Sequence, residues 1–364
     1  MKIKLTTSLA VPAALLLTLA VWHRAVSADN DTRPPAVSKQ AMLDHIARKV
    51  LLPAYTDLAS RSADFAAAAD AMTSTPNAAT LKKAQQSWKD VLLAWRRTQA
   101  FAHGPIADLG VAGRIQFWPS RRQSVDRVLR APRFIDDTYI RELGANAVGL
   151  SALELMLFDT RQSDAARIAA FAGQDGDRQR KYFQALAREL LTETRRVEQA
   201  WEGPAGFAAK FSAGGQQQLN LLVNDLLTAI ETGAQGRLRL VIDKQGEQLA
   251  GPELVEGGLS GTSQQGLLAL LIGARSMFSG GDGMGVDDYL RTLKSSTARR
   301  VDAQFQKAID AVQAIDGPLE QAIGTRERAV KQAHEECRAL EVLLKVEVAS
   351  TLGVTLTFKS TDGD

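Results

Sequence analysis

The chain has 364 residues, with 44 Lys and Arg against 41 Asp and Glu, four histidines and one cysteine. A single cysteine excludes an internal disulfide, so buried apolar surface has to hold the fold together. Charges of both signs, with no dense Lys/Arg run, supply no stripe for nucleic acid, and the length fits one large or two medium domains.

In chain order, the first segment reads as an export signal. Lys2 and Lys4 precede an apolar run, Leu9 to Trp22, and "AVSADN" follows. Val26 and Ala28 suit the small-residue cleavage rule, which gives a signal peptide over 1–28 and a mature chain from about Asp29. The apolar run is shorter than the roughly 20 residues of a spanning helix, so no integral membrane span is expected after processing; an uncleaved anchor is the alternative. The lone cysteine is Cys337, so no lipobox is present, and the expected location is the periplasm. Removing 1–28 takes away Lys2, Lys4 and Arg24 and leaves 41 basic and 41 acidic residues.

The remainder reads as helices, with apolar residues three and four apart. The first pattern, "VSKQAMLDHIARKVLLPAYTDLASRSADFAAAADAM", puts Met42, Ile46, Val50 and Tyr55 on one stripe. Ser38 is its expected N-cap, and Pro53 should kink or interrupt it. Leu81, Trp88, Leu92, Trp95 and Phe101 define a second helix. Further patterns run over about 177–201, 216–245 and 285–315, and a last one ends at Gly353. Two stretches break the rhythm. Residues 103–126, "HGPIADLGVAGRIQFWPSRRQSVD", read as a long ordered loop. Residues 250–266, "AGPELVEGGLSGTSQQG", are rich in glycine and small hydroxyls and lead into another apolar helix. No strong β-pattern is present. Glycines near 203–215 suggest a boundary, dividing the mature chain into 29–204 and 205–364. "GLSALELMLF" and "GLSGTSQQGLLALL" echo one another faintly, as a duplication would.

The order "WRRTQAFAHGPI", "RIQFWPSRR", "GLSALELMLF", "GLSGTSQQG" and "VASTLGVTLTFKSTDGD" resembles the imelysin-like proteins, a bacterial periplasmic or envelope family that carries a metallopeptidase name. The resemblance covers nearly all the mature chain. It implies an all-α fold of two helical-bundle domains related by duplication, with an interdomain cleft, and a place in iron-regulated uptake. The family signature G-x-H-x-x-E falls on Gly149, Ser151 and Glu154, so serine stands where the histidine would be. His and Glu three apart on a helix can share a metal, whereas a serine hydroxyl is a far weaker ligand. The chain therefore resembles a histidine-lacking branch.

Glu154 interrupts an apolar run and needs a partner, a proton or water. It either faces the cleft as a ligand or cation site, or pairs with one of Arg96, Arg97, Arg114, Arg121 and Arg122. The expected cleft comprises Glu154, Ser151, Trp95, Arg96, Gln99, Arg114, Gln116, Trp118, Ser260 and Ser263. Phe117 and Trp118 read either as a ligand platform or as packing anchors. Glu154 and His103 are the candidate metal ligands. No H-E-x-x-H occurs; "HEEC", 334–337, reads as a solvated face beside a half-buried cysteine. "GLSGT" lacks the strand and spacing of a serine-nucleophile elbow, and Thr262 or Ser263 is its expected N-cap. The reading is a non-enzymatic periplasmic binding or accessory protein in iron or other metal acquisition. Its ligand would be a small molecule or a divalent or ferric ion, and its partners envelope iron-uptake proteins. The alternatives are a metal-dependent peptidase and an envelope interaction protein with a peptide or glycan groove.

Overall fold

The computed structural model describes residues 37–119, 121–243 and 255–357; the expected signal peptide lies outside them. The described residues contain helices, turns and no strand. Ten helices carry the architecture: α1 Lys39–His45, α2 Leu52–Ser74, α3 Ala78–Thr98, α4 Gly149–Phe158 and α5 Asp177–Trp201, then α6 Gly215–Thr228, α7 Gly236–Asp243, α8 Ser263–Ser279, α9 Val286–Gln313 and α10 Glu327–Val342. The fold is all-α, as expected.

Ser38 caps α1, its hydroxyl accepting from the Ala41 N–H at 3.1 Å. The interruption expected at Pro53 takes the form of a π-helical segment, Ile46–Leu51, immediately before α2. Proline has no N–H for the ladder, and a wider turn on its N-terminal side accommodates the gap without ending the helix. Asn77 starts α3 with a capping box: its Oδ1 accepts from Ala79 N at 2.9 Å and Thr80 N at 3.1 Å, while Thr80 Oγ1 accepts from Asn77 N. Asn77→Ala removes these acceptors and should cost about 1 kcal/mol, read as a lower urea midpoint. An unchanged midpoint would mean that packing alone sets the start of α3.

α2 packs against α3 and α5, and Tyr55, Phe101, Trp201, Phe207 and Phe211 form an aromatic cluster at one end; Tyr55 stacks on Trp201 at 5.5 Å between ring centroids. α8 joins the later helices to the earlier ones by packing on α3 as well as α9. Its small residues allow this: a Cβ on Gly273 would lie 2.3 Å from the Arg97 carbonyl oxygen. The buried core runs without a break from Met42 to Leu352. Residues 36–364 form one compact unit. The division into 29–204 and 205–364 stands as a proposal about duplication.

Three expectations change in detail. The stretch 103–126 is not one loop: it holds the short helices Pro105–Asp108 and Ala112–Ile115 and the start of Arg122–Arg130. The 216–245 pattern is broken by a second π-helical segment, Ala229–Gln235, between α6 and α7. Cys337 is fully buried in the core instead of half-buried.

Candidate functional site

α4 is buried from Gly149 to Leu157. Gly149 has φ +68°, and a Cβ there would lie 2.2 Å from the Arg114 carbonyl oxygen and 2.5 Å from that of Ile115. Glycine is required by this conformation and by the approach of the 114–115 backbone. Ser151 is buried on the first turn and Glu154 on the next. The Glu154 carboxylate meets the second glycine-rich stretch: Oε1 accepts from Ser260 N at 3.1 Å and from Ser260 Oγ at 2.8 Å. Thr262 Oγ1 lies 2.7 Å from the same hydroxyl. Gly257 and Gly261, with φ of +79° and +68°, shape the turn that presents these groups. Burial pushes the Glu154 carboxyl up to about 7, against the hydrogen bonds from Ser260 and the nearby positive charge of Arg96.

Glu154 thus draws its hydrogen bonds from Ser260, 106 residues away, and of the arginines considered as its partners Arg96, Arg97, Arg114 and Arg122 bind other acids. Arg97 pairs with Asp57 at 3.6 Å, Arg114 with Glu189 at 2.5 Å, and Arg122 with Asp159. The last two fasten the "RIQFWPSRR" segment at both ends, to α5 and to the end of α4. Arg96, almost wholly buried on α3, binds Glu256 at 2.6 Å through Nη2 and Gln99 Oε1 at 2.8 Å through Nη1. Glu256 gives its other oxygen to Arg237 of α7, at 2.6 Å from Nη2 and 2.8 Å from Nε. Burial pulls the Arg96 guanidinium down to about 10 although Glu256 attracts it. Burial alone would raise the Glu256 carboxyl, yet Arg96 and Arg237 hold it at about 2.

This network forms a wall of a cavity of about 480 Å³. Gln99, Arg237 and Glu256 supply its polar side, Trp118, Leu240 and Leu270 its apolar side, and the second π-helical segment contributes Ala229, Thr232 and Gly233. Such segments widen a helix locally and recur where a helix lines a site. A Cβ built on Gly236, the first residue of α7, meets nothing within 4 Å.

The structure brings Glu154, Arg96, Gln99, Trp118 and Ser260 to this region. It places the other expected residues as follows. Trp95 is buried on α3, and its indole N–H has no hydrogen-bond partner among the described residues; the same holds for Gln116 Oε1. Arg114 serves the loop, binding Glu189 and the Ile140 carbonyl. Ser263 donates to Glu320 at 2.5 Å and accepts from Leu319 N at 2.8 Å. Thr262 occupies the N-cap position of α8 without a side-chain cap, because its hydroxyl meets Ser260 across the turn, and Ser263, the first helical residue, spends its hydroxyl on Glu320 and Leu319. His103 belongs to another group: its Nδ1 lies 2.8 Å from Asp225, whose Oδ2 also accepts from Ala102 N at 3.0 Å. Sequence reasoning missed Arg237, Glu256 and Asp225. The only signal for Glu256 was an acid beside two glycines.

Residues 51–346 match the profile of the family described as Imelysin, a peptidase family by name. The chain belongs to the imelysin family. It is 25% identical over 287 residues to the iron-regulated protein A of Synechococcus elongatus, covering 75% of this chain and 74% of that one. Its fold is similar to that of an iron-regulated protein A precursor from Parabacteroides distasonis, with TM-score 0.73, 18% identity and coverage of 89% of this chain and 97% of that one. An imelysin-like protein from Psychrobacter arcticum gives TM-score 0.71 at 18% identity over 88% and 98%. No helix among the described residues is long and apolar enough to cross a membrane.

The donors around Glu154 do not fit a zinc or iron centre. Ser151 offers a neutral oxygen where an imidazole would be needed, Glu154 Oε1 is held by Ser260, and Glu256 is neutralised by two guanidiniums. Among the described residues no group of three or more His, Cys, Asp and Glu converges.

Proposed function

We propose that the chain is a non-enzymatic, periplasmic binding or accessory protein of an iron-responsive acquisition system, with the cavity beside the Glu154–Ser260 link as its ligand site. The cavity carries this reading. At about 480 Å³ it lies within the range of small-ligand pockets, and it joins an aromatic and aliphatic wall to a few fixed polar groups. The names of the relatives from Synechococcus and Parabacteroides support the iron-responsive role, and the export signal read in residues 1–28 supports the compartment. The donor set at Glu154 favours a ligand other than a bare transition-metal ion.

The test is a deletion strain of the source organism grown with and without an iron chelator. Slower growth only under chelation, restored by the wild-type chain but not by Gly236→Leu, is the expected result. Leucine replaces glycine at a helical position where a Cβ meets nothing within 4 Å, so it takes up cavity space and raises helix propensity. Growth independent of iron supply would overturn the acquisition role. The family name favours a second reading, peptidase activity; peptide hydrolysis by the purified chain that is lost in Glu154→Gln would establish it.

A further inference from the structure

We propose that the cavity selects an organic anion: a small carboxylate-bearing molecule with a flat apolar body. The inference rests on the cavity being the ligand site and names the chemistry of what enters it. Arg237 and Glu256 are the ionisable residues among those that line it. Behind them Arg96 stands 2.6 Å from Glu256, so two guanidiniums meet one carboxylate, and the cluster keeps an excess positive charge while the neighbouring Glu154 holds its proton. Both Glu256 oxygens are committed, Oε1 to Arg96 and Oε2 to Arg237, which turns its charge away from an entering group.

Arg237 retains donor capacity. Its Nε and Nη2 bind Glu256, Nη2 also donates to Gln99 Oε1 at 3.5 Å, and Nη1 donates to the Gly233 carbonyl. A guanidinium has five N–H groups, so one hydrogen on Nη1 remains for an acceptor in the cavity, and the long Gln99 contact is readily exchanged for a second. The Arg237 side chain is 17% exposed where it lines this space, so it is reachable while largely withdrawn from water. A charge-assisted hydrogen bond is strongest in that setting. The apolar lining of Trp118, Leu240 and Leu270 suits a planar apolar body, because an indole offers stacking and the two leucines offer dispersion contact. A bare inorganic anion would leave that lining unused, and a cation would face the excess positive charge.

The experiment is calorimetric titration of the full chain with 1-naphthoate and with its uncharged analogue 1-naphthalenemethanol, followed also by tryptophan fluorescence. The expected result is naphthoate binding at least ten times tighter than the alcohol. Arg237→Met should abolish the difference, because it removes the donor and frees the Glu256 charge, and Arg237→Lys should restore part of it. Gly236→Leu should weaken naphthoate at least tenfold while thermal stability holds or rises. Equal binding of acid and alcohol, both lost in Gly236→Leu, would overturn selection for an anion and leave the cavity as a ligand site. Binding of neither probe would overturn the anion inference, while the growth phenotype under chelation reads the acquisition role independently.

Discussion

Arg96→Met should lower the unfolding free energy by about 3–5 kcal/mol, the loss typical when one partner of a buried ion pair is removed. The arginine side chain is only 3% exposed and its partner Glu256 12%, so neither charge can turn to water in the folded chain. Methionine approximates the aliphatic stem, which keeps the helix contact and isolates the lost charge. Glu256 would keep Arg237 but lose the partner on its other oxygen, and Gln99 would lose a 2.8 Å donor. Glu154, whose charged form Arg96 favours, would become still harder to ionise. The cycle Arg96→Met, Glu256→Gln and the double variant measures the coupling by urea denaturation. A double variant much less damaged than the sum of the singles is expected. A single-variant loss below about 1 kcal/mol would show that the pair behaves like an exposed one.

The difference between what was legible in the sequence and what was not follows from distance along the chain. Helix periods, the Ser38 cap and the terminal glycine Gly353 are local, so α1, α3, α5 and the stop at Gly353, after a short final helix Ala349–Leu352, could be read directly. The π-helical segments could not, because each is one widened turn, and a single step of five such as Val50 to Tyr55 does not stand out within a stripe of threes and fours. The four-residue helices inside 103–126 are shorter than any pattern that periodicity can resolve.

At the site, Glu154 and Ser260 were each conspicuous, one as a carboxylate in an apolar run and one in a glycine-rich turn. Their contact spans 106 residues and no local rule joins them. The arginine-partner reading failed for the same reason. An abundance of nearby arginines says nothing about which acids the fold brings to them, and Asp57, Asp159, Glu189 and Glu256 reached them first. Arg237, in "GRLRL", looks like one more solvated charge on an amphipathic helix until Glu256 is placed against it.

The pH response of Glu154 separates its charge from its hydrogen bonds. Its folded carboxyl lies near 7 against an ordinary 4.5, so between those values the folded chain holds a proton that the unfolded chain has released. Stability contributed by this group therefore falls as pH rises through that window, and above about pH 7 the cost approaches roughly 3 kcal/mol at about 1.36 kcal/mol per pH unit. Below 4.5 both states are protonated and the cost vanishes. Glu154→Gln keeps an oxygen for Ser260 N and Oγ and removes the charge, mimicking the protonated acid. The variant should melt above the wild type at pH 8, with the gap closing toward pH 4. Glu256 works in the opposite direction: its carboxyl is held at about 2, so its stabilisation is present above 4.5 and lost only as pH falls toward 2. It consequently leaves the comparison between pH 5 and 8 undisturbed. A Gln variant destabilised at pH 8, with the loss shrinking as pH falls below about 4.5, would mean that the Glu154 carboxylate is needed as a charge in the fold. The link between the two glycine-rich stretches would then be ionic in origin, with Arg96 as its counter-charge, and no longer a hydrogen bond to a neutral acid.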